Sequence, residues 1–232
     1  ENATDGITVM TFNVYMDGHS QKGSIKTKNA IIASNACIVC LQETNQQWEA
    51  YLDTEDMRKI YPHITFKNHR WKWGGFAVFS KHPFNEGGFI DSVQPWWYPG
   101  WRVVVDHPKT TLQILNLHLQ APFPSNPFTV QRNRKFEVSS YYALMDDPNT
   151  MSSLVLGDFN TKGGPPLRYL TKRGYKNALK DVNCKKSTWR WGWLSHTYDH
   201  IFYQGLSIHS ADVPRVGGSD HFPIVATFSV QA

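Results

Sequence analysis

Short apolar runs closed by turn residues recur along nearly the whole chain, and this rhythm restricts it to strands packed against interspersed helices. Ile7 to Val14 is the first such run, with Ile7, Val9, Phe12 and Val14 apolar. Further strands are expected at Ala36 to Gln42, Ile64 to Lys67, Phe76 to Ser80, Phe89 to Val93, Trp101 to Asp106, Thr111 to Leu119, Ser153 to Leu156 (ending at Gly157), Thr197 to Phe202, Leu206 to Ala211 and Phe222 to Val230. Four segments carry helical patterning: Lys26 to Ser34, Gln46 to Ile60 after Thr44 or Asn45 as a cap, Val130 to Met145, and Pro166 to Arg173 before the stop at Gly174. Pro122, Pro124 and Pro127 mark a loop. So many strands exceed one ordinary open sheet. Two packed mixed sheets with helices on both outer faces, a four-layer α/β/β/α sandwich, accommodate them in a single domain over residues 1–232.

The composition excludes some classes. No run of about 18 apolar residues is present, so no membrane-spanning helix is expected. No signal peptide is visible; the chain starts at Glu1 and not Met, which processing or trimming would equally produce. Cys37, Cys40 and Cys184 are an odd count, against a complete set of internal disulfides. Cys37 and Cys40, three apart on a strand, are expected on opposite faces as buried free thiols. Asn2-Ala3-Thr4 is a weak glycosylation match. With the high Trp content and the non-Met start, it favours a secreted or extracytoplasmic setting. The net charge is +5, and the excess is local: nine cations against Asp181 alone between Lys162 and Arg190. Such a field attracts polyanions, although a solvated face would read the same way.

Polar side chains gather where these strands end: Asn13, Glu43, Asn116 and His118 in ILNLHL, Asp158 and Asn160 after SSLVLG, Asp199 and His200 in YDHIF, and Asp220 and His221 before FPIVATF. Strand ends share a rim, where residues distant in sequence converge. Hydrolysis of a phosphate ester needs such a set. Its oxygens repel nucleophiles, and a hard cation held by carboxylates neutralises part of that charge and acidifies a bound water. Oxygen ligands such as Glu43 suit Mg²⁺ or Mn²⁺. A His beside an Asp moves protons or stabilises developing charge, and an Asn donates to an oxyanion without competing charge. Taken singly, several have plainer readings: Asp158 and Asn160 as turn and cap residues, His118 as a core histidine, His200 as structural because it faces away from Asp199, Asn116 as either.

The ordered segments TFNV (Thr11 to Val14), LQET (Leu41 to Thr44), NLHL (Asn116 to Leu119), GDFN (Gly157 to Asn160), YDHIF (Tyr198 to Phe202) and GSDHFP (Gly218 to Pro223), with GGFAVFSKHP between them, resemble the endonuclease/exonuclease/phosphatase superfamily, the fold group of deoxyribonuclease I. The resemblance covers about Ile7 to Phe228. It implies a divalent-metal-dependent phosphoesterase. It assigns Glu43 to the metal and Asn13 to the metal site and phosphate. Asp158 would orient the attacking water and Asn160 would hold the phosphoryl oxygen. Asp199 would orient the terminal His221, which contacts phosphate or acts as base, and Asp220 would add metal contact. His118 would assist the leaving group. Arg102 is a weaker match to a phosphate-contacting Arg.

The substrate is less legible, because one fold and metal site serve many phosphate esters. Trp71 with Trp73, Trp96 and Trp97 with Tyr98 and Trp101, and Trp189 with Trp191 and Trp193 form three aromatic clusters in loop-like sequence. Beside the basic stretch they would stack on bases, which makes nucleic acid the first expectation. The same tryptophans would suit a bilayer headgroup layer. HLQAPF and VMTFNVYM resemble the sphingomyelinase branch, whereas GDFN through GYKNAL is more like compact bacterial-type members. A lipid or lipid-linked phosphate is therefore the alternative, followed by a small soluble phosphate ester. A monomer is expected.

Overall fold

The computed structural model describes residues 6–18, 20–94, 97–122, 126–147 and 151–231. The Asn2-Ala3-Thr4 sequon, His19, Trp96, Phe123 and Pro124 lie outside the described residues. The strands of one six-stranded sheet are β1 (Ile7–Asn13), β2 (Ile38–Thr44), β3 (His63–Lys67), β4 (Gly75–Ser80), β13 (Leu206–Asp212) and β14 (Ile224–Val230), in the order β13-β14-β1-β2-β4-β3. The second sheet has β5 (Phe84–Ile90), β6 (Gly100–His107), β7 (Thr110–His118), β8 (Ser152–Asp158), β9 (Lys176–Asn177) and β12 (Asp199–Gln204), in the order β5-β6-β7-β8-β12-β9. Each sheet has one parallel pair, β1 with β2 and β7 with β8, among antiparallel neighbours, so both sheets are mixed. The expected sandwich is the observed architecture.

Strand alternation explains the layers. Ile7, Val9, Ile38, Cys40, Phe76 and Val78 of the first sheet face Trp101, Val103, Ile114, Leu154, Leu156 and Ile201 of the second across a shared core. The intervening Met10, Phe12, Val39 and Leu41 point outward. They pack under α1 (Gln21–Ala33), α2 (Gln46–Leu52) and α3 (Glu55–Ile60) through Ile31, Trp48, Leu52 and Met57. On the other side, Leu115, Leu117 and Val155 pack under α4 (Pro127–Tyr142) and α5 (Pro165–Thr171) through Val138, Tyr141, Leu167 and Leu170.

Several details differ from expectation. The helix expected over Gln46 to Ile60 is two helices, because Thr54 caps a second start, accepting from the Met57 N–H. Pro127 does not stay in the loop. It opens α4, where its missing N–H costs nothing, behind Asn126 as cap. The strand expected at Phe89 to Val93 lies earlier, at Phe84–Ile90. Trp189, Trp191 and Trp193 belong to an antiparallel hairpin, β10 (Trp189–Trp191) with β11 (Leu194–His196), and Trp101 is a fully buried core residue. The short helix α6 (Ala178–Asp181) carries no readable periodicity; Ala178 and Leu179 plug the core. All three cysteines are free, but Cys37 precedes β2 and adjoins the same core cluster as Cys40, not the opposite face. No described helix is long and apolar enough to cross a membrane.

Candidate active site

Three neighbouring strands of the second sheet bring three site residues into one row. His118 on β7 pairs in register with Asp158 on β8, and Asp158 with Asp199 on β12. All three continue the inward-facing series of their strands (Leu112, Ile114, Asn116, His118; Leu154, Leu156, Asp158; Tyr203, Ile201, Asp199), so they end at the rim of the inter-sheet layer. Gly157 is required for this. It adopts φ 128°, and a Cβ there would collide with the Leu117 carbonyl.

The first sheet supplies the rest. Asn13 ends β1 on the inner face, like Val9 and Thr11. Glu43 should point outward by alternation, after Val39 and Leu41. A bulge between Gln42 and Thr44 in the pairing of β2 with β4 turns it inward, with Glu43 at φ 60°. This left-handed backbone in a non-glycine residue costs about 1–3 kcal/mol. Asn13 bridges the two sheets: its Nδ2 donates to Glu43 Oε1 at 3.0 Å and to Asp158 Oδ2 at 3.1 Å. The Met16 N–H donates to Glu43 Oε2 at 3.0 Å. Behind the rim, Gln42 Nε2 donates to Asn116 Oδ1 at 2.7 Å, and Asn116 Nδ2 to the Leu41 carbonyl at 3.2 Å, so Asn116 clamps the sheets together.

His221, before β14, closes the ring. Its Nδ1 lies 2.8 Å from Asp199 Oδ2 and its Nε2 3.7 Å from Asp158 Oδ2. His118 Nε2 lies 3.6 Å from Asp158 Oδ2 and 3.8 Å from Glu43 Oε1. The Asn160 N–H donates to Asp158 Oδ1 at 2.7 Å, and the Asn160 side-chain amide donates to the Leu119 carbonyl at 2.9 Å, with Asn160 at φ 51°. Glu43, Asn13, Asp158, Asn160, His118, Asp199 and His221 thus form one continuous cluster.

Two expected residues behave differently. Arg102 is not brought to the cluster. It follows the inward-facing Trp101, so it points to the outer face of the sheet. There it donates to Gln113 Oε1 at 3.2 Å and to the Gly87 carbonyl, and pairs with Asp146. Asp220 stands beside the cluster, but its carboxylate is already held. Oδ2 accepts from the Trp189 indole at 2.8 Å and Oδ1 from the Ser219 hydroxyl at 3.4 Å. Its charge still acts on Glu43 and His221. His200 faces away, with Nε2 2.8 Å from the Thr161 carbonyl and Nδ1 3.2 Å from Asn177.

Three contributors were not read from the sequence. Tyr98 lies flat on His118, with ring centroids 3.7 Å apart and planes 5° from parallel. Trp189 bridges to His221 through the backbone as well as holding Asp220. Arg134 of α4 is buried, donates from Nε to the Gln120 carbonyl at 2.7 Å, and acts electrostatically on Asp158. Tyr98 and Trp189 stood out only as members of aromatic clusters and Arg134 not at all, because each reaches the rim only through packing.

The electrostatics are those of crowded, buried acids. Burial raises the pKa of Glu43, against the Asn13 hydrogen bond. Burial also raises that of Asp158, with the neighbouring Asp199 adding and His221 opposing. Burial and the nearby His221 push His118 down to about 3. Burial disfavours the imidazolium of His221, but Asp199 and Asp158 outweigh it and carry its pKa up to about 10. A cation would relieve this crowding. The Glu43 and Asp158 carboxylates, brought together by the Asn13 amide N–H while its Oδ1 accepts from the Tyr15 N–H, are hard oxygen donors of the kind Mg²⁺ or Mn²⁺ prefers. Asp158, Asp199 and His221 also have ligand atoms within 4.8 Å of one another and could hold an ion. A hard cation prefers carboxylate oxygens to an imidazole nitrogen, so the Glu43 and Asp158 oxygens fit it better.

Known proteins share the family and the fold. The chain is 31% identical over 88 residues to a UPF0294 protein of Vibrio vulnificus (strain YJ016); the match spans 38% of this chain and 30% of that protein. The human Nocturnin catalytic domain with bound sulfate superimposes with a TM-score of 0.74 at 21% identity, covering 98% of this chain and 94% of that one. Truncated TDP2 from Caenorhabditis elegans gives 0.67 at 18% identity, covering 96% and 97%. Likeness at this identity speaks to fold. The sequence model of the endonuclease/exonuclease/phosphatase family matches residues 10–221. With nearly the whole length matched and the family's motifs meeting at one rim, the chain belongs to the endonuclease/exonuclease/phosphatase family.

Proposed function

We propose that the chain is a divalent-metal-dependent phosphodiesterase that hydrolyses nucleic acid. The observation that carries this reading is the contiguous cluster of Glu43, Asn13, Asp158, His118, Asp199 and His221, contributed by both sheets and closed within 4 Å steps. When bound at the Glu43 and Asp158 carboxylates, which Asn13 holds together, Mg²⁺ or Mn²⁺ would neutralise phosphate charge as a Lewis acid.

The residues supply the remaining chemistry. Asp158 accepts a proton from the attacking water, whose oxygen forms the new P–O bond as the ester P–O bond breaks. Asn160 holds a non-bridging oxygen. Asp199 fixes His221 so that Nε2 faces the phosphoryl group. Neutral His118, held under Tyr98, donates an N–H hydrogen bond to the departing oxygen, which leaves as an alcohol after taking a proton from bulk water. Arg102 has no part in this scheme, and Asp220 acts through its charge.

The test is a substrate panel with Mg²⁺ or Mn²⁺: single- and double-stranded DNA, RNA, bis(p-nitrophenyl) phosphate, sphingomyelin vesicles and isoprenyl pyrophosphate. Chelator-sensitive cleavage of an oligonucleotide, weakened by salt, is the expected result. Turnover confined to vesicle-borne headgroups would overturn the nucleic-acid assignment, and turnover of none would overturn the enzymatic one.

A further inference from the structure

Two joined cavities lead away from Asn160. The inner one, about 510 Å³, is lined by Asn160, Arg134, His196 and Tyr198. Gln131, Thr161 and Lys162 line it and also a larger cavity of about 1070 Å³ between α4 and α5. The larger cavity carries Arg132 and Lys135 on the α4 side and Lys162, Arg168, Lys172 and Arg173 on the α5 side. No Asp or Glu occurs among the described residues lining either cavity.

The larger cavity gathers six cations without an acid among its described lining residues. Elsewhere several cations are paired: Lys186 with Asp212, Lys72 with Asp17, Lys67 with Glu86 and Arg58 with Asp53. Among the described residues, none of these groove cations has a carboxylate within ion-pair distance. In the inner cavity Arg134 is 3% exposed. Its Nε is satisfied by the Gln120 carbonyl, yet its Nη2 has no hydrogen-bond partner among the described residues. A buried guanidinium with an unused donor is costly unless an acceptor arrives. Aromatic rings line the same groove. Phe128 stands 88% exposed, and the Tyr169 ring lies 3.5 Å beneath the Arg173 guanidinium.

We infer that the α4–α5 groove is a binding track for the phosphate backbone of a single nucleic-acid strand whose scissile phosphate sits at Asn160. The inference rests on the phosphodiester reading above for the identity of its substrate. The groove is concave and continuous with the cluster, so it suits a chain of regularly spaced phosphates and not a flat surface. An exposed ring among cations offers a base a stacking face, which a duplex withholds. Arg134 would bind the phosphate next to the scissile one, and the lysines those beyond it.

The test uses a fluorescently labelled single strand of about 20 nucleotides, long enough to cover such a groove. Its binding is followed by anisotropy in chelator, so that binding is measured apart from turnover. The double variant Lys135→Glu, Lys172→Glu is expected to bind about tenfold or more weakly, with a salt slope shallower by about 0.7 for each phosphate no longer neutralised. Phe128→Ala is expected to weaken binding about fivefold. Both variants should turn over bis(p-nitrophenyl) phosphate like the parent chain, because neither change touches the cluster. Unchanged strand affinity in the double variant would overturn the inference, and so would equal affinity for a blunt duplex. A loss seen only with phosphatidylserine vesicles would overturn it in favour of a membrane surface. If no phosphate ester is hydrolysed but strand binding still depends on Lys135 and Lys172, the catalytic reading fails and the track stands.

Discussion

The Nδ1 of His221 lies 2.8 Å from Asp199 Oδ2, while its Nε2 faces Asp158 across 3.7 Å. Asp199 therefore decides which imidazole nitrogen carries its proton away from the cluster and which is aimed into it. Asp199→Asn keeps the shape but removes that control. It is expected to lower kcat by about 10²- to 10⁴-fold with little change in KM or in melting temperature. Single-turnover hydrolysis beside a thermal melt checks this, and near-parental kcat would remove Asp199 from the machinery.

Glu43 is the acid that the bulge turns inward, and it meets Asn13 there. Glu43→Gln keeps the volume and one acceptor but removes a charge from the cation-binding set. The Mg²⁺ or Mn²⁺ concentration for half-maximal activity is expected to rise by at least about 10- to 100-fold. The parent chain should also gain thermal stability on addition of Mn²⁺, as any ligand of the folded state confers, and the variant should lose most of that gain. An unaltered metal titration would place the ion elsewhere.

Tyr98 holds the His118 ring by face-to-face contact. Tyr98→Leu removes the flat support and is expected to reduce kcat about tenfold by loosening a catalytic ring. Tyr98→Phe keeps the face and is expected to restore most of the rate. If the two variants behave alike, the phenol hydroxyl or mere bulk is at issue and not stacking.

Glu137 is buried on α4, and burial pushes its carboxyl up to about 8, against the Gln120 N–H and the nearby Arg134. A carboxyl that binds its proton more tightly in the fold than in the unfolded chain stabilises the fold when protonated. That contribution is full below the ordinary value near 4.5 and is lost as pH rises through about 8. Unfolding in denaturant at a series of pH values should show stability falling across this window, and Glu137→Gln should flatten the fall. An unchanged slope in the variant would assign the dependence to other groups.

Much of this architecture could be read from period-two patterning. Ile7, Val9 and Thr11 on one side and Met10 and Phe12 on the other announce a strand buried on both faces, and the same logic places Asn13, His118, Asp158 and Asp199 toward one layer. It also explains why Arg102, one step from Trp101, lies on the wrong face for the role its position suggested. Glu43 is the instructive exception: alternation would send it outward, and only the ordered motif LQET marked it for the site. Tyr98, Trp189 and Arg134 were not legible, because stacking, an indole hydrogen bond and a helix approach depend on contacts between elements far apart in the chain. The hairpin from Trp189 to His196 was missed because each strand is three residues long, too short to show a period.

The irregularity between Gln42 and Thr44 makes the inward carboxylate separable from the architecture that surrounds it. Losing that single extra residue would let β2 and β4 zip together as an uninterrupted ladder, with the strain of the left-handed backbone relieved and no carboxylate from β2 left facing the layer. A lineage of such chains could therefore lose a carboxylate from the proposed cation site by one codon deletion while gaining robustness.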